Sequence, residues 1–401
     1  MSSAADGLPA NGSVLPADLQ RPAYGAASLA DVLPGVAAAL GAPVPRGGLP
    51  ADPLGLTGAL QGARRAAVLL VDGLGADLIR AHADLAPTLA ALSSPAGDLA
   101  APCPSTTPVS LTTLTTGLPP GGHGVLGFVT DVPGEGRTLN HTQWADDPDP
   151  AEWMAAPTVF QRAAADGIAV TAVGPWAYAG SGLTEAAYRG GNYTGSVGPG
   201  DLTALMRTAL DAGNRALVYG YLAELDLTGH VRGVDSPSWR AQLAQVDALV
   251  AQLVDGLPDD AALLVTADHG MVDVPAHTRF DLDDEPDLAD GVRLLAGEPR
   301  ARYVHAEPGA EADLLDRWRG VLGDRAWVVG RDEAIASGVF GRVDDALAAR
   351  IGDVVALARG TWALVTPRLE PGPSRLAAYH GSLTATELAI PLLVARGRGL
   401  S

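Results

Sequence analysis

The chain is 401 residues long, 47% hydrophobic and 18% charged, with 49 Gly and 31 Pro. That much apolar sequence collapses into a core and excludes a wholly disordered chain, and no run of ~18 apolar residues offers a membrane-crossing helix. Asp plus Glu number 46 against 27 bases, all of them arginine; the net charge of −19 repels nucleic-acid phosphates and leaves room for a small anion only where something locally positive, such as a metal, sits in its pocket.

The single Cys103 excludes an intrachain disulfide and any cysteine-built zinc ribbon. Residues 1–22 show no basic patch followed by an apolar stretch, so no secretory leader is expected and the expected location is cytoplasmic. Residues 1–64, rich in Ala, Pro and Gly, are expected to form an N-terminal arm packed on the main body, with one helix over 29–40. Residues 66–72 (AAVLLVD) are a continuous apolar run ending in Asp-Gly, which suits the centre of a parallel sheet. A helix is predicted over 74–92, then a helix over 158–165, a strand over 168–173, a helix over 202–212 and a strand over 215–222.

Residues 238–254 predict a long helix, with Leu243, Val246, Leu249, Val250 and Leu253 spaced by three and four, and 260–266 (DAALLVT) predict another strand. Repeated strand–helix units imply an α/β fold, a mostly parallel sheet between helical layers, with sites at the carboxyl ends of strands. From 279 to 375 the texture changes: an acidic loop, short strands at 292–295, 301–305 and 326–329, and a helix near 311–322. That stretch is expected to be a small α+β cap inserted into a core of 65–278 and 376–401, whose last strand is 389–395.

The chemistry-bearing residues lie at the ends of these strands. Asp72 ends the first, Asp226 and His230 follow the strand at 215–222 as D-L-T-G-H, Asp268 and His269 follow the strand at 260–266 as A-D-H-G, and His380 precedes the last. Three Asp and three His at one sheet edge, without cysteine, suit two zinc-like divalent ions that each keep an open position. The segment P-S-T-T-P-V-S-L (104–111) predicts a helix start, with Pro108 in the first turn and Thr107 as its N-cap. Such an N-terminus holds phosphate oxygens well.

VDGLG, PSTTP…TTGLPPGGHG, the D-x-x-x-H pair, ADHG and the late HG together resemble the alkaline phosphatase superfamily, and within it the type I phosphodiesterase/nucleotide pyrophosphatase family. The resemblance covers about 66–278 and 376–401 and implies an alkaline-phosphatase-like three-layer α/β/α sandwich. It implies one zinc held by Asp72, Thr107, Asp268 and His269, and a second by Asp226, His230 and His380. It makes Thr107 the nucleophile, counted back from Thr116–Gly117, with Thr106 as the alternative. Where the family pattern leads one to expect an asparagine donor three residues on, this chain has Ser110, the expected donor to a phosphate oxygen. Sulfatases of the superfamily need Cys-x-Pro-x-Arg, which the sequence after Cys103 does not provide.

The implied reaction is hydrolysis of a phosphodiester or nucleotide pyrophosphate through a phosphothreonine. Two divalent ions against three Asp and an alkoxide leave a near-neutral site, which suits a singly charged diester unless Arg279, Arg302 or Arg375 joins from the cap. A phosphomonoesterase or phosphonate hydrolase shares the same residues, and a non-catalytic, metal-stabilised binding protein is the remaining alternative. His123 is expected to shape a loop, and His82, His141, His277 and His305 to be surface or hydrogen-bonded residues. Trp144, Trp153, Trp176, Tyr178 and Tyr193 fall in loop-like segments, where packing or stacking on a base would use them.

Overall fold

A computed structural model of the chain describes residues 15–400, so part of the 1–64 arm and most of the 1–22 leader reading lie outside the described residues. In chain order the principal strands are β1 (Arg65–Val71), β2 (Ala169–Pro175), β3 (Asn192–Ser196), β4 (Ala216–Leu222), β5 (Ala261–Thr266), β6 (Val292–Glu298), β7 (Ala301–Ala306), β8 (Ala326–Gly330), β9 (Val354–Ala358) and β10 (Leu392–Arg396). The helices that matter for the site are α1 (Thr107–Thr116), α2 (Glu224–Arg232), α3 (Pro237–Asp255) and α4 (Glu311–Leu322).

The central sheet has the order β10-β5-β1-β4-β2-β3. β1 runs parallel to β4 and β5, β2 runs parallel to β4 and β3, and only β10 is antiparallel to its neighbour. Every residue of β4 and β5 is buried, which is why these runs are apolar throughout instead of alternating. Leu70 pairs with Tyr221 on one side and Thr266 on the other, so β1, β4 and β5 end nearly flush. The chain goes from β4 on one flank of β1 to β5 on the other, and this reversal opens a crevice beyond their carboxyl ends.

The segment 292–358 builds a four-stranded antiparallel sheet of order β6-β7-β9-β8. Its two faces have different tasks. Tyr303, Val329, Val355 and Leu357 join the main core, while Val304, Val328, Val354 and Ala356 pack with Leu314, Trp318 and Leu322 of α4 into a separate core. The alternation follows from the two-residue period of a strand. Leu29, Val32, Leu33 and Val36 of the N-terminal segment also belong to the main core.

Several boundaries differ from the sequence reading. Thr106, in an extended conformation, is the N-cap of α1, and Thr107 is its first helical residue. The helix predicted over 74–92 is two pieces, Ala76–Ala81 and Pro87–Ala91, because Pro87 can only begin a new helix. Pro391 divides the predicted last strand: Ala389–Ile390 pairs with Leu99–Ala100, and β10 alone joins the central sheet. β3, β9 and the hairpin Val129–Val132/Arg137–Asn140 are additions. Trp153 closes a short helix and Tyr193 lies in β3, so neither is a loop residue.

Candidate active site

Six of the seven predicted ligands assemble into two trios of potential ligand atoms. Asp72, Asp268 and His269 form one, Asp226, His230 and His380 the other, and within each trio the ligand atoms lie within 4.8 Å of one another. The remaining member, Thr107, stands beside the first trio, its hydroxyl 3.4 Å from Asp72 Oδ2 and 3.4 Å from His269 Nε2. Each comes from a strand end: Asp72 directly follows β1, Asp268 follows β5, and α2 brings Asp226 and His230 to one face after β4. His380 arrives on a separate short strand, Ala378–Tyr379, paired with Val272–Asp273.

The glycines of the motifs make this convergence sterically possible. Gly73 has φ +72°, and a Cβ there would stand 3.0 Å from Asp226 Cβ, so the turn after β1 can approach α2 only without a side chain. Gly270 likewise lies against the Thr386 carbonyl, which a Cβ would overlap.

The hydrogen bonds around the trios leave one set of lone pairs free. His230 Nδ1 donates to the Ala378 carbonyl at 2.8 Å, His380 Nδ1 to the Ser105 carbonyl at 2.8 Å, and His269 Nδ1 to the Gly270 carbonyl at 3.2 Å. All three imidazoles therefore turn Nε2 inward, the nitrogen that a metal would take once any proton on it is displaced. Asp268 Oδ1 accepts the backbone N–H groups of Gly73 and His269, each at 3.0 Å, and its Oδ2, 3.2 Å from His269 Nε2, accepts no hydrogen bond. Asp72 Oδ1 and Asp226 Oδ1 are buried without partners as well. His230 Nε2 and His380 Nε2 face each other at 3.2 Å, and the His269 and His380 rings stack at 3.6 Å. Buried, unpaired carboxylate oxygens and inward lone pairs in one place call for cations, and this donor set fits two divalent ions.

With only the protein's own charges present, burial and the neighbouring Asp268 and Asp226 carboxylates push Asp72 well above the usual carboxylate range. Burial also raises Asp226. Burial acts the same way on Asp268, but the His269 charge and hydrogen bonds outweigh it and hold Asp268 low. Burial opposes the charge on His269, yet Asp268, Asp226 and Glu298 draw it up to about 9, whereas burial and the two nearby imidazoles keep His380 well below its ordinary value. Cations at the trios would take the place of these held protons.

Of the two threonines, Thr107 lines the cleft, while Thr106 is fully buried and donates to Glu298 Oε2 at 3.3 Å. Ser110 does not meet its expected task. Its hydroxyl is fully buried and donates to the Asp268 carbonyl at 2.9 Å, so it faces the strand end rather than a phosphate. The arginines offered as clamps are also elsewhere. Arg302 is buried on Glu370 and the Leu364 carbonyl, Arg279 binds the Val274 and Leu376 carbonyls, Arg375 is exposed, and none lines the cleft.

Two residues that the sequence reading missed complete the site. Tyr221, near the end of β4, donates its hydroxyl to Asp72 Oδ2, leaving Oδ1 free. A phenol one residue from the end of a core strand, paired with the residue two before Asp72, was the available signal. Glu298, at the end of β6, is brought by the inserted sheet to Thr106, and burial pushes it up to about 8. Its place depends on tertiary packing, so no local pattern announces it. His82, His123 and His141 have structural partners in Asp235, Thr113 and Trp153.

Asp72, Thr107 and the Asp226–His230–His380 trio open on a cleft of about 390 Å³, walled by Phe128, Tyr178, Tyr188, Tyr193 and Tyr221 and lined by no arginine, while Asp268 and His269 are fully buried. No curated protein matches the chain. Solved structures of similar fold include the murine ectonucleotide pyrophosphatase/phosphodiesterase 5, 19% identical, TM-score 0.66, covering 83% of this chain and 89% of that one. An inactive form of the murine protein in complex with AMP matches with TM-score 0.66 and 19% identity, over 84% of this chain and 90% of that one. Phosphonoacetate hydrolase from Sinorhizobium meliloti, in complex with phosphonoformate, matches at TM-score 0.65 and 20% identity, over 84% of this chain and 91% of that one. These likenesses establish the fold, an alkaline-phosphatase-like α/β architecture. The family model for type I phosphodiesterase / nucleotide pyrophosphatase matches residues 66–383, from the first core strand through His380 with the inserted sheet between. A match of that extent places the chain, a hydrolase of the alkaline phosphatase superfamily, in the type I phosphodiesterase / nucleotide pyrophosphatase family.

Proposed function

We propose that the chain hydrolyses phosphodiester or nucleotide pyrophosphate bonds, with Thr107 as nucleophile between two divalent metal ions, zinc by the N/O donor set. Asp72, Thr107, Asp268 and His269 would hold one ion and Asp226, His230 and His380 the other. The observation that carries the reading is the Thr107 hydroxyl, at the first turn of α1 and 3.4 Å from two members of a buried, unsatisfied ligand trio.

Bound ions supply the positive charge that acidifies the hydroxyl and neutralises the phosphate. The Thr107 proton points to Asp72 Oδ2, which Tyr221 holds in place. The threonine oxygen forms a bond to phosphorus, and the leaving oxygen departs with the electron pair of the broken P–O bond. Water then attacks the phosphothreonine, restores the hydroxyl and releases the phosphate product. The backbone N–H of Thr107, at the start of α1, would donate to a phosphate oxygen in place of the Ser110 hydroxyl.

A cleft without arginine favours the singly charged diester over a monoester or a phosphonate bearing a second anionic group. Turnover of bis-p-nitrophenyl phosphate, p-nitrophenyl phosphate and phosphonoacetate by zinc-loaded protein tests this, with the diester expected to lead. Thr107→Ala should lower kcat by roughly a thousandfold or more. Chelator dialysis should abolish turnover and zinc should restore it. Persistent hydrolysis in Thr107→Ala, or full activity in protein that elemental analysis finds free of metal, would overturn the reading.

A further inference from the structure

Among the described residues, large apolar side chains stand in solvent at few places, and most are gathered at one. Trp176 is 66% exposed, Tyr178 44%, Val197 81%, Leu227 61% and Val231 53%. Trp176 and Tyr178 follow β2, Val197 follows β3, and Leu227 and Val231 are one turn apart on α2, so all five lie beyond the carboxyl edge of the central sheet. Tyr178, Leu227 and Val231 line the cleft that holds Thr107, while Trp176 and Val197 line an adjoining recess of about 120 Å³. Tyr221 borders both hollows.

Core packing does not account for this. α2 already buries Leu225 in the main core, and its exposed Leu227 and Val231 lie on another side of the helix. Contiguous exposed apolar surface marks a place where something is bound. The charge pattern narrows the occupant. The ionisable side chains around the two hollows are Asp72, Asp226, Glu224, His230 and His380, with no arginine, in a chain of net charge −19. A second anionic group on the substrate would meet carboxylates and no cation of the protein.

We infer that the ester group recognised beside the reacting phosphate is uncharged and hydrocarbon-rich, and that it lies across the rim of Trp176, Tyr178, Val197, Leu227 and Val231. The inference rests on the phosphodiester half of the proposed function, sets aside its nucleotide pyrophosphate half, and adds the substrate class. The rim is continuous with the cleft, so its occupant is part of the substrate rather than a separate partner.

Binding can be read apart from catalysis. Zinc-loaded Thr107→Ala protein is titrated calorimetrically with methyl phosphodiesters carrying ethyl, butyl, hexyl or octyl chains, and with AMP and ATP. Kd should fall roughly threefold per added methylene until the rim is covered, as expected for about 0.8 kcal/mol per buried CH2 discounted for partial burial. The double variant Leu227→Ser, Val231→Ser and the single variant Trp176→Ser, each in the Thr107→Ala background, should flatten that slope. ATP should bind more weakly than the octyl ester. A Kd independent of chain length, nucleotides bound more tightly than every alkyl ester, or rim variants that abolish self-association and leave the slope intact would each overturn the inference. Wild-type protein that binds the esters with the expected slope and leaves them unhydrolysed would sink the proposed function and spare the rim.

Discussion

At the scale of single residues, the site depends on hydroxyls that do different work although they lie close together in sequence. Thr107 faces the cleft, Thr106 donates to Glu298, and Ser110 fastens the start of α1 to the Asp268 carbonyl. Ser110→Ala separates a fastening role from a phosphate-binding one. It should lower stability by about 1 kcal/mol, the usual worth of a buried hydrogen bond, and leave kcat within a few-fold of wild type. Thermal melts and steady-state kinetics on the same preparation check this; a hundredfold loss of kcat with an unchanged melt would return Ser110 to the phosphate. The candidate ligand residues were readable because each polar group interrupts an apolar run at a strand end, where nothing structural asks for Asp or His. The direction in which Ser110 points was not readable, since every position on the first turns of α1 except Thr107 is buried and helical spacing does not reveal what its neighbours are.

At the scale of elements, the parallel strands were legible because burial on both faces writes an unbroken apolar run, as β4 and β5 show. β3, with Asn192, Tyr193, Thr194, Gly195 and Ser196 at the sheet's edge, writes no such pattern. β9 is apolar, but a five-residue run does not by itself distinguish a strand from a buried helical turn. Three buried histidines, His123 and His141 in the segment after α1 and His305 on β7, carry a pH response of their own. Burial pushes His123 down to about 3 and His141 to about 4, and burial, against the pull of Asp131 and Asp353, takes His305 to about 4. Folding thus holds these rings neutral while the unfolded chain protonates them near 6.5, so the unfolded state binds more protons in between. Their stabilisation is complete above about pH 6.5 and is lost as pH falls toward about 4. Melting temperatures across that window should drop with acid, and His141→Gln, which keeps a hydrogen-bonding side chain that cannot take the proton, should shallow the slope. An identical slope in the variant would place the acid sensitivity elsewhere.

At the scale of the whole molecule, the inserted sheet and the central sheet share one core, and a buried ion pair ties the insert to the segment that carries His380. Arg300, in the turn between β6 and β7, donates to both carboxylate oxygens of Glu387, at 2.8 and 2.6 Å, and both side chains are fully inaccessible. Glu387 also accepts from the Ser382 backbone at 2.9 Å and the Thr384 hydroxyl at 2.6 Å, two and four residues past His380. Arg300→Ala would strand a carboxylate out of water, at a loss of about 3–5 kcal/mol, whereas replacing both partners with Met removes the uncompensated charge together with the attraction. The single variant should therefore melt well below the double variant, through one cooperative transition, because Tyr303, Val355 and Leu357 of the insert lie in the same core as the central strands. Because Glu387 positions the turn after His380, Arg300→Ala should also weaken zinc at the Asp226–His230–His380 trio more than at the other, read by metal content after graded chelation. Two separate melting transitions in the single variant, or equal loss of both ions, would show that the insert and the metal-binding edge behave as independent parts.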